Sequence, residues 1–443
     1  MAWEFVSLQQ GLDQAGSAVD LLWKPGAPAW KPPRVDDEYA GWAKEQAAWR
    51  QTVTIADLSY HMSDLFIEGP DATRLLSETS ANNVAAQVVG QARQFVPVAR
   101  DGNLITDGIL AKTGEESFVL SGVEAAQHWV EYHAKAGGYD VTTEIDTSME
   151  YRQDQPRLFR MQVQGPLALD VIAKAFGAPI PETKFFHSTP VTLAGASFGA
   201  LRHGMAGQAG YEFVGDYADH DRVKEALMSA GAEFGIIHVG ALAYSTNGIE
   251  SGWVPSPTPA IYTDPELAGL RASINLYSYE GQKPLYGSHF SESIEDHYIS
   301  PWELGYGRSI HLDHDFIGRD ALAAAKDTAP RTKATLVFDP ADAARVIGAD
   351  GFFNTYPRQR IEVDGRLVGH TQQVARIAPL DRVLALGLVD KAFAAPGTQV
   401  EVVWGEHPGP GTPADADLGF PRIRATVQPA PYNEFARTAY RKN

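Results

Sequence analysis

The chain has 443 residues, 44% of them hydrophobic and 10% aromatic, enough to bury real cores in two or three domains. It contains no cysteine, which excludes disulfides, thiolate catalysis and Cys-ligated zinc or iron–sulfur centres. A formal charge of −18 and a pI near 5.1 argue against a nucleic-acid partner, because phosphate contacts need a basic face.

In chain order, the segment Lys24 to Val35 carries four prolines and predicts no helix, whereas the stretch that follows, DEYAGWAKEQAAWRQ, predicts one. The N-terminal sequence MAWEFVSLQQGLDQAG lacks a basic stretch followed by an apolar one, so it reads as a cytoplasmic start rather than a signal peptide. No apolar run approaches the roughly 20 residues needed to span a bilayer, so no membrane partner is expected. From Thr52 short apolar runs alternate with a helix in GPDATRLLSETS, for which Asp71 is the expected cap. ARQFVPVAR and GNLITDGILAK, joined by Asp101-Gly102, predict a β-hairpin. A second block opens near Leu158 with a strand, a Gly165-Pro166 turn and a helix. It continues with strand runs VTLAGASFGALRH and GYEFVGD and the amphipathic helix HDRVKEALMSAG. After RDALAAAKDTAPR the chain turns β-rich, with evenly spaced short strands that suggest a small barrel or jelly roll. The expectation is an α+β protein of three blocks, 1–157, 158–332 and 333–443.

Thirteen histidines invite a metal reading. His311 and His314 in SIHLDHDFIG are three apart but lack a third ligand on a shared face, and HEXXH is absent, so no metal is expected. There is no GxSxG elbow, no Walker-type loop and no GxGxxG fingerprint.

What remains is an ordered series. Asp57, Tyr60, His61 and Met62 lie in DLSYHMSDL, and Arg93 and Asp101 to Asp107 lie in RQFVPVARDGNLITDG. Gln164-Gly165-Pro166 follow a strand, GQAGYE ends at Glu212, and AYSTNGIESGW runs from Ala243 to Trp253. Together with FIGRDAL and VGHTQQVARIAPLDRVLALGLVD, this series resembles the folate-binding aminomethyltransferase family of the glycine-cleavage T-protein, over about Thr52 to Tyr432. The resemblance implies three domains around a central pocket for tetrahydrofolate, ending in a β-barrel. The amine-demethylating members read ARDSLRLEAG where this chain reads AYSTNGIESG, so that Tyr244 and Gly248 replace arginines and Thr106-Asp107 replaces an aspartate pair. The early LQQGLDQAGS segment, SYHM and a tyrosine nine residues before a tryptophan look instead like the bacterial aryl O-demethylases that act on vanillate, 3-O-methylgallate and syringate.

That branch implies catalysis by Tyr244, substrate binding by His61 and pterin binding by Glu212. By the same resemblance, Tyr60, Leu58 and Trp253 are expected near the substrate, with Lys112 a candidate for its carboxylate. Tyr211, Asp107, Gln164, Glu250 and Trp253 are expected near the cofactor. Leu58 stands where the vanillate enzyme has glutamine, and no arginine matches that enzyme's carboxylate anchor. Read without the resemblance, Tyr244, His61 and Trp253 serve equally as packing residues, and Arg93 and Lys112 as surface strand positions. The expected partner is a small methoxylated aromatic acid, and the expected assembly a monomer or homodimer. An amine or sulfonium demethylase, or a folate-binding protein without catalysis, are the alternatives. A folate-binding assembly factor for iron–sulfur maturation would be expected to carry a cysteine this chain lacks.

Overall fold

A computed structural model describes residues 5–147, 152, 154–255 and 257–440. Three sheets organise it. In the first, the strands Ala92–Phe95, Gly108–Lys112, Ser117–Gly122, Ser63–Glu68 and Thr142–Asp146 lie side by side, all antiparallel. Helix Glu124–Ala136 packs Trp129 and Val130 against Leu65, Leu110 and Phe118 from this sheet. The expected hairpin is present but opened: Phe95 pairs with Gly108, and the chain between them turns at Gly102, whose φ of +80° is a glycine conformation.

The second sheet runs Ile237–His238, Thr54–Asp57, Leu158–Gln164, Gly210–Asp216, Ala196–Leu201, Ser188–Leu193. Alternation sorts the two central strands. Phe159, Met161, Val163, Tyr211 and Phe213 enter one core with helices Ala168–Phe176 and His220–Gly231. Arg160, Gln162, Gln164 and Glu212 therefore share the opposite face, and all four are buried. The run VTLAGASFGALRH, expected as one strand, is two. Ala194 (φ +50°) and Gly195 (φ +79°) form a tight turn whose twist suits a two-residue hairpin.

The third sheet closes on itself. Strand Arg366–Ile377 pairs with both Arg360–Val363 and Arg382–Asp390, completing a six-strand barrel with Gln399–Val403, Arg422–Gln428 and Arg331–Phe338. Leu336, Ile361, Val402, Ile423 and Val427 fill it. The α+β class and the β-barrel end thus agree with the sequence reading.

Packing crosses the expected blocks. Thr54–Asp57 from the first block forms part of the second sheet, and Ala260, Leu270 and Phe290 from the second block complete the first core. The boundary at 332 falls inside a barrel strand. Two local expectations are corrected. Asp71 precedes helix Ala72–Glu78, but its side chain caps none of the helix's backbone N–H groups; its carboxylate accepts from the Arg74 guanidinium and the Asp140 N–H instead. The helix expected from Asp37 begins at Trp42, because Gly41 sits at φ +91° and Glu45 draws the Tyr39 and Ala40 N–H groups out of helical geometry.

Candidate active site

A cavity of about 500 Å³ lies where the blocks meet, within the size range of small-molecule sites. Tyr244, His61 and Trp253, three of the expected residues, lie on its wall. Tyr244 comes from the short helix Ala241–Ser245, which is held from two sides. The Glu45 carboxylate accepts from Gly240 N–H at 2.9 Å, and barrel residue Gln373 donates to the Ser245 carbonyl at 2.9 Å. Asn354 donates to Ser245 Oγ at 3.1 Å and accepts from Gln373.

Two features of the wall set its electrostatics. The Tyr244 hydroxyl is pushed well above the ordinary tyrosine range by burial and then by the Glu212 carboxylate, with Arg160 opposing. His61 is pushed down to about 3, by burial and then by the Arg160 charge, so its imidazole is neutral at neutral pH. The rings of Trp30, His61 and Tyr244 form a run with centroid separations of 5.0 and 5.1 Å.

Behind the wall lies a buried polar network. Arg160 Nη2 donates to Asp64 Oδ1 at 3.2 Å and to Ser121 Oγ at 2.9 Å, and its Nε lies 3.1 Å from Glu212 Oε1. Gln162 donates to Glu212 Oε2 at 2.7 Å. Each Glu212 oxygen has one partner here, which leaves acceptor capacity on both. Asp107 is also buried. Its Oδ2 accepts from Gln94, Trp253 Nε1 and the Tyr306 hydroxyl at 2.8, 2.8 and 3.0 Å, yet burial still pushes its carboxyl upward.

Among the described residues, Asp107 Oδ1, Gln164 Nε2, Asn247 Oδ1 and His61 Nδ1 are buried without hydrogen-bond partners. Such atoms are costly unless a ligand or water meets them. Gly204 makes room for one: a Cβ there would sit 1.0 Å from Gln164 Nε2.

Other expected site residues lie off the cavity wall. Tyr60 turns its hydroxyl to that of Tyr217, and Leu58 packs behind Tyr244 with Trp49 and Ala243. Tyr211 cannot share a face with Glu212 on one strand; it packs in the second-sheet core beside Phe213. Glu250 is tied to Arg50, with contacts of 3.1 and 2.5 Å. Arg93 donates to the Asn83 and Ala86 carbonyls. Lys112 lies over the Phe118 ring at 5.5 Å and is not on the wall. Gly248 is on the wall, and a Cβ there would meet Gln373 Oε1 at 2.3 Å, so a larger residue at this position would have to displace the Gln373 amide. His314 is turned to the Ser77 and Ser80 carbonyls, and the described residues hold no group of three or more acidic or histidine side chains fit for a metal ion.

Several wall and network residues were not foreseen. Arg160 and Gln162 had a readable signal, the polar alternation of RMQVQ inside an apolar strand. Trp30, Lys283, Tyr286 and Tyr356 had none, because they come from coil or distant segments that meet only in the fold.

Residues 23–259 match the family model described as the GCVT N-terminal domain. The chain belongs to this family. It is 38% identical to a syringate O-demethylase from Sphingobium sp. (strain NBRC 103272 / SYK-6), over 98% of this chain and 97% of that protein. A sesamin methylene transferase from Sinomonas sp. (strain No.22) is 29% identical over 89% of each chain. The glycine cleavage system aminomethyltransferase T from Bartonella henselae superposes with a TM-score of 0.63 at 19% identity, over 98% of this chain and 99% of that one. The last likeness shows that the fold of this family member is aminomethyltransferase-like. No helix among its described residues is long and apolar enough to cross a membrane.

Proposed function

We propose that this protein is a tetrahydrofolate-dependent O-demethylase that takes the methyl group of a methoxylated aromatic acid, of the vanillate, syringate or 3-O-methylgallate class. It would release a phenol and 5-methyltetrahydrofolate. The observation that carries this reading is a buried tyrosine hydroxyl beside a neutral histidine on the wall of a largely apolar cavity. Similarity to a syringate O-demethylase over nearly the whole chain supports it.

Tetrahydrofolate, when bound, supplies N5 as the nucleophile for the methyl carbon. The buried atoms without partners suit its pterin: Asp107 Oδ1 and Asn247 Oδ1 as acceptors, Gln164 Nε2 as a donor, and Glu212 through its remaining lone pairs. As the methyl–oxygen bond breaks, its electron pair stays on the aryl oxygen. The Tyr244 hydroxyl stays protonated and donates a hydrogen bond to that oxygen. An ordinary tyrosine and a simple phenol both titrate near about 10, so their acidities match in water. Burial lifts Tyr244 above that, which favours hydrogen-bond donation over full proton transfer unless the departing phenolate is equally desolvated. His61, uncharged, orients the ring without competing for negative charge. Trp253, fixed by Asp107, and Trp30 close the cavity over the ring and limit water.

Purified protein incubated with tetrahydrofolate and a panel of methoxybenzoates is expected to form the matching phenol and 5-methyltetrahydrofolate in equal amounts. Turnover confined to glycine-derived or sulfonium substrates would overturn the reading in favour of the amine branch. Absence of tetrahydrofolate binding would leave a binding protein of another kind.

A further inference from the structure

We propose that Lys283 is the counter-ion for the carboxylate of the aromatic substrate, and so selects acids over neutral aryl ethers. This rests on the O-demethylase reading above and supplies the anchor that the sequence did not reveal.

Besides the neutral His61, the cavity wall carries three ionisable charged side chains, Lys24, Glu124 and Lys283. Lys24 is exposed at the rim. Glu124 accepts from Ser63 Oγ at 3.0 Å and has the wrong sign for an acid. Lys283 is 5% exposed, a burial seldom given to lysine. It follows helix Tyr279–Gln282, where its backbone N–H donates to the Tyr279 carbonyl at 2.9 Å, and its ammonium lies 5.6 Å from the centroid of the Tyr279 ring, itself part of the wall.

A second positive charge backs it. Arg358 is 2% exposed and acts on Lys283 through space; burial and this guanidinium together depress the amine strongly. A carboxylate arriving from the cavity would relieve both effects at once. The wall between Lys283 and Tyr244 is aromatic. The Tyr286 hydroxyl pairs with that of Thr355 and accepts from the Tyr356 N–H, each at 2.9 Å, and the Tyr356 hydroxyl faces the Ser245 carbonyl at 3.4 Å. A benzoate laid along these rings has its acid group at the lysine and its ether at Tyr244. Lys112, the other candidate, lies off the wall.

The test compares native protein with Lys283→Met and Lys283→Arg on two substrates that differ by the acid group alone, syringate and 2,6-dimethoxyphenol. For Lys283→Met, kcat/KM on syringate is expected to fall about 100-fold while that on the phenol stays within about threefold, since a buried carboxylate loses its partner. Lys283→Arg is expected to keep most of the preference. An equal loss on both substrates would show a structural role and overturn the proposal. So would a loss confined to the KM for tetrahydrofolate, which would assign the lysine to the glutamate tail of the cofactor. If native protein turns over no aryl ether, the function reading fails by itself. Fluorescence titration with the same two compounds then decides the anchor: native protein that binds the acid no better than the phenol overturns it.

Discussion

The two walls of the cavity are built in different ways. The Tyr244 wall is braced from behind by charged and amide side chains, among them Glu45, Gln373, Asn354 and the Arg160 network. The other wall is formed by coil at 24–30, the segment 279–286 and Tyr356, joined by contacts such as Lys24 N–H to the Leu285 carbonyl at 2.7 Å and Tyr356 N–H to the Tyr286 hydroxyl at 2.9 Å. The difference fits a division of labour. Groups that act on a breaking bond must be held within a fraction of an ångström, whereas a wall that grips ring substituents can differ between relatives without disturbing the chemistry.

The sharpest way to break this comparison is to remove the brace. Arg160→Met leaves Asp64 and Glu212 buried without their common partner and is expected to cost about 3–5 kcal/mol in denaturant unfolding. Adding Glu212→Gln to that variant should recover part of the loss. A single variant as stable as the native chain would mean that water, not the network, satisfies these carboxylates. Next comes Tyr244→Phe, which keeps the ring and removes the donor. Turnover is expected to fall on the order of 100-fold or more with tetrahydrofolate affinity and melting temperature little changed. Unchanged turnover would remove the hydroxyl from the mechanism.

The same division explains what was legible in the sequence. Local patterns placed the strands, the barrel and the Gly165-Pro166 turn, because period-two alternation and turn residues act over a few positions. Residues of the braced wall could be found, since His61, Tyr244 and Trp253 sit in motifs with an ordered spacing. The other wall could not: Trp30 in a proline-rich coil and Lys283 before a proline carry no periodic signal. Tyr211 shows the opposite error, a residue drawn into the site by adjacency to Glu212 although successive strand positions face opposite ways. Lys112 failed because its side chain, at the end of strand Gly108–Lys112, lies over the Phe118 ring and not on the cavity wall.

The smallest expected effect is on acid stability, and it separates His61 from the other histidines. In the folded protein its imidazole titrates near 3, against an ordinary value of 6.5. Above about pH 6.5 both folded and unfolded chains carry it neutral, and folding is indifferent to pH through this group. As pH falls from 6.5 toward 3 the unfolded chain takes up a proton that the folded one refuses, so stability declines across that window and levels off below it. By pH 5 the loss from His61 alone is about 1–2 kcal/mol, allowing for partial solvent access. His133, His238 and His289, each pushed down to about 4 chiefly by burial, add to the same slope. The native profile alone therefore does not isolate His61, but the difference between native and His61→Asn does. Chemical denaturation at pH 7 and pH 5 should show the variant losing about 1–2 kcal/mol less than the native chain between the two pH values. Parallel profiles would mean that His61 is solvated and protonates freely in the folded state.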